Sequence, residues 1–440
     1  MAKPPTSSSS RPSRRQFLAT TAAAAGAAPL LGSCSMLGSS RPLPKAAERA
    51  RARPDETLRI GVIGTGGMGT AHCSSLLQLA ADGKEDLRIV ALADVCQSRL
   101  ENAQQKCGEL QEGKPDSYGD HAELLARSDL HGVLIATPEH WHAPMVEDAV
   151  ARGLDVYVEK PMTLRLPGAL RLHQVQRANP HVIVQVGTQF LTHEKYHKAR
   201  QLIADGAIGK PTSSQASYCR NSKTGEWLYY DIDESWEPGV NLDWDRWCGP
   251  MGQHDWSPEV YARWRRYRAW STGICGDLLV HMMTPMMFAV DQGWPVRVVA
   301  VGGHYKDKAM ENHDQVDILV QFEKGHTMRI AGSTCNERGD ETMIRGHRAS
   351  LFLGSKDCTL RPERIYAEEI DEETLQCPPQ SGDHDRMRLD WLSCMRTRKA
   401  NLGQVELATQ VMVVVDLATR SMWDGKAFAF DPEAMRARAV

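Results

Sequence analysis

The feature that most constrains the fold is a glycine-rich turn that follows an apolar run near residue 60. Residues 60–63 predict a buried strand, and Gly64-x-Gly66-x-x-Gly69 leads into a stretch with helical spacing. In such a turn the first glycine makes the bend, the second lets the backbone approach a pyrophosphate, and the third lets the helix pack on the sheet. The first N–H groups of the helix favour phosphate oxygens. The turn therefore predicts a dinucleotide site.

A second apolar run, residues 88–93, ends at Asp94. An acid in this place is positioned to bind the ribose hydroxyls of NAD. A carboxylate repels a 2′-phosphate, so NAD is favoured over NADP, although Arg99 lies close enough to weaken that preference. The rival interpretation is a glycine-rich surface turn, which does not account for the strand, the helix and the acid together.

Length, charge and cysteine spacing limit the classes of protein to which this chain can belong. A chain of 440 residues is too long for one ordinary core and suggests two domains. A formal net charge of −3, without a basic stripe, gives no field for nucleic acid. The 11 cysteines form no Cys-x-x-Cys pattern or Cys/His cluster, so no structural metal is expected.

Residues 1 to about 55 differ in composition from the rest of the chain. Arg14 and Arg15, followed by Phe17 and Leu18, precede an alanine-rich apolar stretch over 18–31 that is too short to span a bilayer. This order resembles a twin-arginine export signal and implies an exported, periplasmic protein. A disordered basic tail is the alternative, but it does not explain the apolar stretch.

The segment 31–34, Leu-Gly-Ser-Cys, also resembles a lipoprotein cleavage site. Cys34 would then carry a lipid anchor, which is the one membrane association expected. Cleavage by an ordinary signal peptidase is the alternative. Residues 35–56 are polar and proline-rich and predict a linker.

The rest of the chain predicts an α/β protein with two domains. Strands alternate with helices through residues 57–187, which predicts a doubly wound parallel sheet, the Rossmann fold. In residues 188–432, several strand-like runs are joined by short turns, which predicts a large, mostly antiparallel open sheet with helices.

Three further patterns carry polar groups suited to catalysis. The buried run 132–138 ends in Thr137 and Pro138 and is followed by residues 139–142, Glu-His-Trp-His. The next strand ends in Glu159-Lys160-Pro161, and Asp277 precedes His281 by four residues. Because ligands bind beyond the carboxyl ends of parallel strands, the first two groups are expected beside the nicotinamide.

These three patterns follow the glycine turn with Asp94 along the chain. In this order, the four patterns resemble those of the family of glucose–fructose oxidoreductase and inositol 2-dehydrogenase, Gfo/Idh/MocA. The likeness extends over residues 57–432 and includes a C-terminal helix at residues 390–399. It implies a Rossmann domain, a C-terminal α/β domain whose sheet is buried in a homodimer or homotetramer, and a carbohydrate or polyol substrate beside the nicotinamide. It also supports the positions of Lys160, Asp277 and His281, and adds Glu159 as a contact near the cofactor ring.

The oxidation of a secondary alcohol requires a base for the hydroxyl proton while hydride leaves the carbon. We expect His281 to be this base and Lys160 to favour the alkoxide or share the proton transfer. At i, i+4 on a helix, Asp277 would share a face with His281 and hold one of its ring nitrogens. Taken singly, Asp277 and His281 predict no more than a surface pair, and Lys160 a solvated strand end.

The expected cofactor contacts share the glycine turn and the carboxyl ends of the strands: Gly64, Gly66, Gly67, Met68, Gly69, Asp94, Thr137, Pro138, His142, Glu159, Lys160 and Gln189. His140 and His142 lack a recognisable third ligand, so no metal is expected. The Trp/Arg clusters at 244–247 and 264–267 suit core, subunit interface or sugar stacking equally and are left out of the catalytic set.

These patterns favour an exported oxidoreductase acting on a sugar, sugar acid or cyclitol. Free NAD is scarce outside the cytoplasm, so a tightly held cofactor is expected. The alternative is an NAD-dependent glycosidase that oxidises, eliminates and then reduces. The dehydrogenase-type pair Asp277 and His281 favours net redox chemistry. A sugar-binding lipoprotein with structural NAD is a third interpretation, against which Lys160 and His281 argue.

Overall fold

The computed structural model describes residues 41–49 and 51–440. The predicted export signal and Cys34 lie outside these residues. In the described part of the chain, no helix is both long and apolar enough to cross a membrane.

Six parallel strands form the first sheet, in the spatial order β3-β2-β1-β4-β5-β6. They are β1 (Leu58–Ile63), β2 (Leu87–Ala93), β3 (Asp116–Tyr118), β4 (Gly132–Ile135), β5 (Asp155–Val158) and β6 (Val184–Val186). The helices of this domain are α1 (Gly67–Ala81), α2 (Gln97–Leu110), α3 (His121–Leu125), α4 (Glu139–Ala151) and α5 (Leu166–Ala178). Every residue of β4 and β5 is buried, as expected for strands with helices on both faces. The predicted Rossmann sheet is confirmed.

The second sheet has ten strands, in the order β14-β13-β12-β11-β7-β10-β9-β8-β15-β16. They are β7 (Pro211–Cys219), β8 (Pro295–Gly303), β9 (Gln315–Phe322), β10 (Thr327–Ser333), β11 (Met343–Gly346), β12 (Ala349–Leu353), β13 (Asp357–Pro362), β14 (Glu373–Gln376), β15 (Phe428–Asp431) and β16 (Arg436–Ala439). β7 pairs with β10 in parallel, and the other neighbours are antiparallel. In β9, Val316, Ile318 and Val320 are buried while Leu319 is exposed, so one face packs on helices. The predicted mostly antiparallel sheet is confirmed.

The helices of the second part are α6 (Glu194–Ala204), α7 (Trp244–Cys248), α8 (Pro258–Arg263), α9 (Val280–Val290), α10 (Asp383–Thr397) and α11 (Val405–Asp424). Helix α11 packs on the second sheet, whereas α10 returns to the first one. Trp391 of α10 lies in the same core as Leu58 and Ile60, with its ring 5.7 Å from that of Tyr157. The C-terminal region therefore contributes to the core of the nucleotide domain.

Part of the predicted linker packs on the first domain. The backbone N–H of Ala46 donates to Asn179 Oδ1 at 2.8 Å, and the N–H of Ala47 donates to Ala151 O at 3.0 Å. The Arg49 side chain donates to the carbonyl oxygens of Arg127 and Leu130. Residues 44–49 of the predicted linker are therefore packed on the first domain, because their backbone groups find partners in the helix ends that they cross.

Candidate active site

The turn between β1 and α1 has two positions that only glycine suits. Gly64 has φ +86°, and a Cβ there would lie 2.8 Å from backbone atoms of Ala136 and Thr137. A Cβ on Gly69 would lie 1.8 Å from the carbonyl oxygen of Gly64. A Cβ on Gly67 would meet nothing within 4 Å. The turn thus holds the helix against the sheet and leaves open space at its N-terminus, which fits a pyrophosphate.

Asp94 lies at the other side of this turn. Its Oδ2 accepts hydrogen bonds from the Thr65 N–H at 2.6 Å and the Thr65 hydroxyl at 3.2 Å, and its Oδ1 accepts one from the Cys96 N–H at 2.9 Å. These bonds hold the carboxylate at the wall of the cleft, where it fits ribose hydroxyls. The Arg99 guanidinium lies 5.1 Å and 4.6 Å from the ring centres of Trp236 and Tyr261.

A cavity of about 380 Å³ extends from the glycine turn between the two domains. Seven of the predicted cofactor contacts line it: Gly64, Gly66, Gly67, Met68, Asp94, Thr137 and Pro138. The opposite wall comes from the second domain and includes Tyr230, Trp247, Tyr261, Trp264 and Arg265. The cavity and its donors therefore fit a dinucleotide.

Residues 227–271, here called the aromatic segment, bind to the nucleotide domain along this cavity. The Gln97 N–H donates to Asn241 O at 2.9 Å, and the Asp243 N–H donates to Val95 O at 3.0 Å. These bonds join the segment to the loop that follows Asp94. The cavity is consequently covered by chain from the second domain.

Residues 139–141, the first three of the predicted Glu-His-Trp-His pattern, form a second attachment between the nucleotide domain and the aromatic segment. The Ser271 hydroxyl donates to Glu139 Oε1 at 2.7 Å. His140 Nε2 lies 2.7 Å from Trp247 O, and the Trp141 Nε1–H donates to the same oxygen at 2.9 Å. These side chains bind protein rather than solvent, and of the three only Trp141 also lines the cavity.

From its composition, the sequence of residues 219–270 predicts loops that wall a polar site, but the Trp/Arg clusters at 244–247 and 264–267 are left out of the catalytic set. In the structure, Trp247, Trp264 and Arg265 line the cavity. Aromatic and guanidinium groups without helical spacing, immediately before Asp277, were the signal that identifies such a wall.

Lys160, at the end of β5, reaches Asp277 across the two domains. Its Nζ donates to Asp277 Oδ1 at 2.9 Å and to Asp277 O at 3.0 Å. Arg265 Nε donates to the same Oδ1 at 2.9 Å, and the Trp227 Nε1–H donates to Oδ2 at 3.3 Å. Burial by itself raises the pKa of Asp277, but the charges of Lys160 and Arg265 hold it well below its usual range. Asp277 is therefore an ionised carboxylate that accepts hydrogen bonds from three side chains.

His281 is near this pair but is not held by it. No hydrogen bond joins Asp277 to His281 among the described residues, so the expected contact is wrong. Cys275–Leu279 form a π-helical turn before α9 begins. The carboxylate oxygens of Asp277 accept from Lys160, Arg265 and Trp227 instead of from His281.

The His281 ring is buried against aromatic residues. Its centre lies 5.2 Å from that of Phe190 and 6.2 Å from that of Tyr218. Burial, followed by the charge of Lys160, lowers the pKa of His281 to about 3. The imidazole is therefore neutral at neutral pH. Its buried Nδ1 has no hydrogen-bond partner within residues 41–49 and 51–440.

Glu159 is held by a second buried chain of side chains. Arg388 Nε donates to His72 Nδ1 at 2.9 Å, and His72 Nε2 lies 2.8 Å from Glu159 Oε1. Because Arg388 can only donate, the neutral His72 ring carries its proton on Nε2 and donates to Glu159. Burial raises the pKa of Glu159, but the His72 hydrogen bond and the Lys160 charge outweigh it and lower the value to about 2.

The structure assigns His142 a different role from the predicted cofactor contact. Its ring nitrogens lie 2.7 Å from Pro161 O and 2.9 Å from Thr137 O, so it ties together two strand ends. Gln189 is buried, and its Oε1 has no partner among the described residues. In the same residues, no group of three or more His, Cys, Asp or Glu side chains is arranged to hold a metal ion.

Residues 58–188 match the model of an oxidoreductase family with an NAD-binding Rossmann fold, and residues 200–429 match the model of its C-terminal alpha/beta domain. An inositol 2-dehydrogenase of Burkholderia cenocepacia is 32% identical over 170 residues, which are 39% of this chain and 48% of that protein. One of Ralstonia nicotianae is 29% identical over 176 residues, 40% of this chain and 50% of that protein. The chain spans about half the length of these curated relatives.

Solved structures share the fold. An NAD-binding oxidoreductase from Klebsiella pneumoniae is 21% identical, with a TM-score of 0.63 over 84% of this chain and 98% of that one. A levoglucosan dehydrogenase in complex with NADH is 17% identical, with a TM-score of 0.62 over the same shares. The glycine turn and Asp94 agree with the NAD-binding description of the first domain, and the two family matches cover most of the chain. The protein therefore belongs to the Gfo/Idh/MocA family of NAD-binding oxidoreductases.

Proposed function

We propose that this protein oxidises a secondary hydroxyl group of a sugar, sugar acid or cyclitol, or reduces the corresponding ketone, with NAD. The observation that carries the proposal is the meeting of Lys160 from the nucleotide domain with Asp277 from the second domain, beside the neutral imidazole of His281. The inositol 2-dehydrogenases and the levoglucosan dehydrogenase also support this substrate class.

Each of the three side chains has a role that its surroundings allow. His281 is a neutral imidazole at neutral pH, so its ring nitrogen without a proton accepts the hydroxyl proton as general base. The Lys160 ammonium stabilises the developing alkoxide, and Asp277 holds that ammonium in place. When bound, the nicotinamide supplies the hydride acceptor. Asp277 thus acts through Lys160 and not through His281.

The proposal includes export by the twin-arginine route to the periplasm, with Cys34 as a lipid anchor if it is cleaved as a lipoprotein. A protein working there needs to retain its cofactor. The aromatic segment supports retention, since it covers the cavity and is bonded to the loop after Asp94 and to residues 139–141. We also propose that copies associate through the open sheet, where Val301 and Leu319 are 67% and 52% exposed.

The test is a panel of free sugars, sugar acids, cyclitols and aryl glycosides, assayed for NADH and for released phenol. NADH formation with free sugars or cyclitols supports the proposal. Release of phenol without net NADH would instead establish the glycosidase chemistry. Cofactor released by denaturation should be NAD.

Two substitutions test the assignment of roles. Lys160→Met and His281→Ala should each lower kcat by about 10²–10⁴-fold, the range for loss of a positioned acid or base. Both should still copurify with NAD. Lys84→Met, at an exposed lysine, is the matched control. Wild-type turnover in either active-site variant would overturn the assignment.

A further inference from the structure

Arg265 has an unusual position between the nucleotide cavity and the catalytic pair. Its Nε donates to Asp277 Oδ1 at 2.9 Å, and its side chain also lines the cavity with Thr137 and Pro138. The guanidinium lies 4.2 Å from the ring centre of Trp264. One nitrogen and one face of the group are therefore fixed by protein.

The other end of the guanidinium remains available. No hydrogen bond joins Nη1 or Nη2 to another residue within the described ranges, although the side chain is only 22% exposed. A guanidinium presents its donors as a rigid planar fork that matches the two oxygens of a carboxylate or phosphate. The Nε bond to Asp277 and the contact with the Trp264 ring together restrict rotation of that plane, so the fork is organised before a ligand arrives.

The local charges favour an anion over a neutral group. Asp277 is shared by two cations, Lys160 and Arg265, so this cluster of three carries one net positive charge. The other carboxyl that interacts with Arg265 is Glu139. Burial raises the pKa of Glu139 to about 7, so at neutral pH it neutralises Arg265 only in part. A guanidinium in a half-buried cavity without a full counter-ion gains by binding an anionic oxygen pair.

We propose that Arg265 is an anion-binding residue whose terminal nitrogens take a pair of anionic oxygens from a ligand in the cavity. The pair is either the pyrophosphate of the dinucleotide or the carboxylate of a sugar acid, and both have the geometry that the fork requires. This inference rests on the proposed function, because it assumes a dinucleotide and a carbohydrate in this cavity. Through Asp277, the same side chain joins ligand binding to the position of Lys160.

The test measures two affinities in the wild type, in Arg265→Met and in Arg265→Lys. The first is the Kd of cofactor-stripped protein for NAD, followed by tryptophan fluorescence. The second is the ratio of the Kd values of NAD-loaded protein for glucuronate and for glucose, followed by calorimetry. Arg265→Met should weaken one of these by about tenfold or more, as expected for a lost hydrogen bond to a charged group. Arg265→Lys, which keeps the charge without the fork, should recover only part of it.

The two arms identify the source of the anion. A loss confined to NAD assigns the pyrophosphate, and a loss confined to glucuronate assigns the sugar carboxylate. Arg268→Met is the matched control, since Arg268 is exposed and stacks on Trp423 away from the cavity. NAD affinity and the glucuronate-to-glucose ratio both within twofold of wild type in Arg265→Met would overturn the proposal.

A measurement on the wild-type protein tests the proposal even where the Arg265 variants fail to fold. Phenylglyoxal labelling mapped by mass spectrometry should modify Arg265, and NAD or glucuronate should protect it. Failure of both ligands to protect it would contradict the proposal. If the wild type forms no NADH with any sugar, the proposed oxidoreductase function is contradicted. This result is distinct from a failure of the Arg265 proposal, which the labelling experiment tests.

Discussion

At the scale of single residues, Trp227 is a buried residue with an unusual backbone conformation beside Asp277. It is 1% exposed, and its backbone has φ +61°, a left-handed conformation that is an outlier for a bulky residue. The turn around it is fixed by the ion pair of Arg220 with Glu226 and by the bond from Arg266 to Glu226 O at 2.7 Å. Such strain persists where the surroundings over-determine it, and here its effect is to aim the indole N–H at Asp277.

The change Trp227→Phe removes this N–H while keeping an aromatic ring in the same turn. We expect kcat to fall about ten- to a hundredfold, because a hydrogen bond to a buried carboxylate contributes roughly 1.5–3 kcal/mol. The NAD content of the purified protein should not change. Steady-state kinetics on the best substrate of the panel provides the measurement. Trp256→Phe is the control, and equal kcat values for the two variants would rule out this role.

At the scale of elements, the first turn of α4 attaches the second domain to the first. Glu139 opens this helix, is 1% exposed, and accepts hydrogen bonds from the Ser271 hydroxyl and the Thr272 N–H. Burial is the main cause of its raised pKa of about 7, against an ordinary value of 4.5. The folded protein therefore favours the protonated carboxyl. The stabilisation that the protonated Glu139 carboxyl gives to the folded protein is fully present below about pH 4.5. It is lost as the pH rises through about 7.

The change Glu139→Gln keeps the shape of the protonated group and removes its titration. The free energy of unfolding of the variant, relative to wild type, should rise by up to roughly 3 kcal/mol between about pH 5 and about pH 8. Urea unfolding of both proteins at the two pH values measures the difference. A difference that stays constant across this range would show that Glu139 is ionised in the folded protein at both pH values.

At the scale of the whole molecule, one segment that precedes the nucleotide domain and one helix from the C-terminal region both pack onto that domain. Residues 44–49 run across its helix ends, and α10 packs Trp391 into its core. Asn179 is the main anchor of the N-terminal part. Its Oδ1 accepts from the Ala46 N–H, and its Nδ2 donates to Pro44 O at 2.9 Å.

The change Asn179→Ala should detach this segment. We expect a loss of about 1–3 kcal/mol in the free energy of unfolding, the cost of unpaired buried polar groups. Trypsin should also cleave faster after Lys45 and Arg49. Urea unfolding and timed proteolysis test both effects against Gln174→Ala, an exposed neighbour. Unchanged cleavage rates would mean that Asn179 does not hold the segment.

The sequence by itself determined the nucleotide domain and its cofactor. The glycine turn, Asp94 and the alternation of apolar runs depend on backbone geometry and local spacing, which are visible in one stretch of chain. The mostly antiparallel second sheet followed from short turns between strand-like runs. Lys160 and Asp277 were chosen from patterns that are local as well.

Only the tertiary structure decided which of these groups touch. Asp277 bonds to Lys160, Arg265 and Trp227 and not to His281, because donors from distant parts of the chain converge on its carboxylate. The cover over the cavity and the Arg265 fork arise from residues 227–271, whose aromatic and charged side chains have no repeating pattern. Contacts of this kind depend on where distant segments pack, and the spacing of residues along the chain does not contain that information.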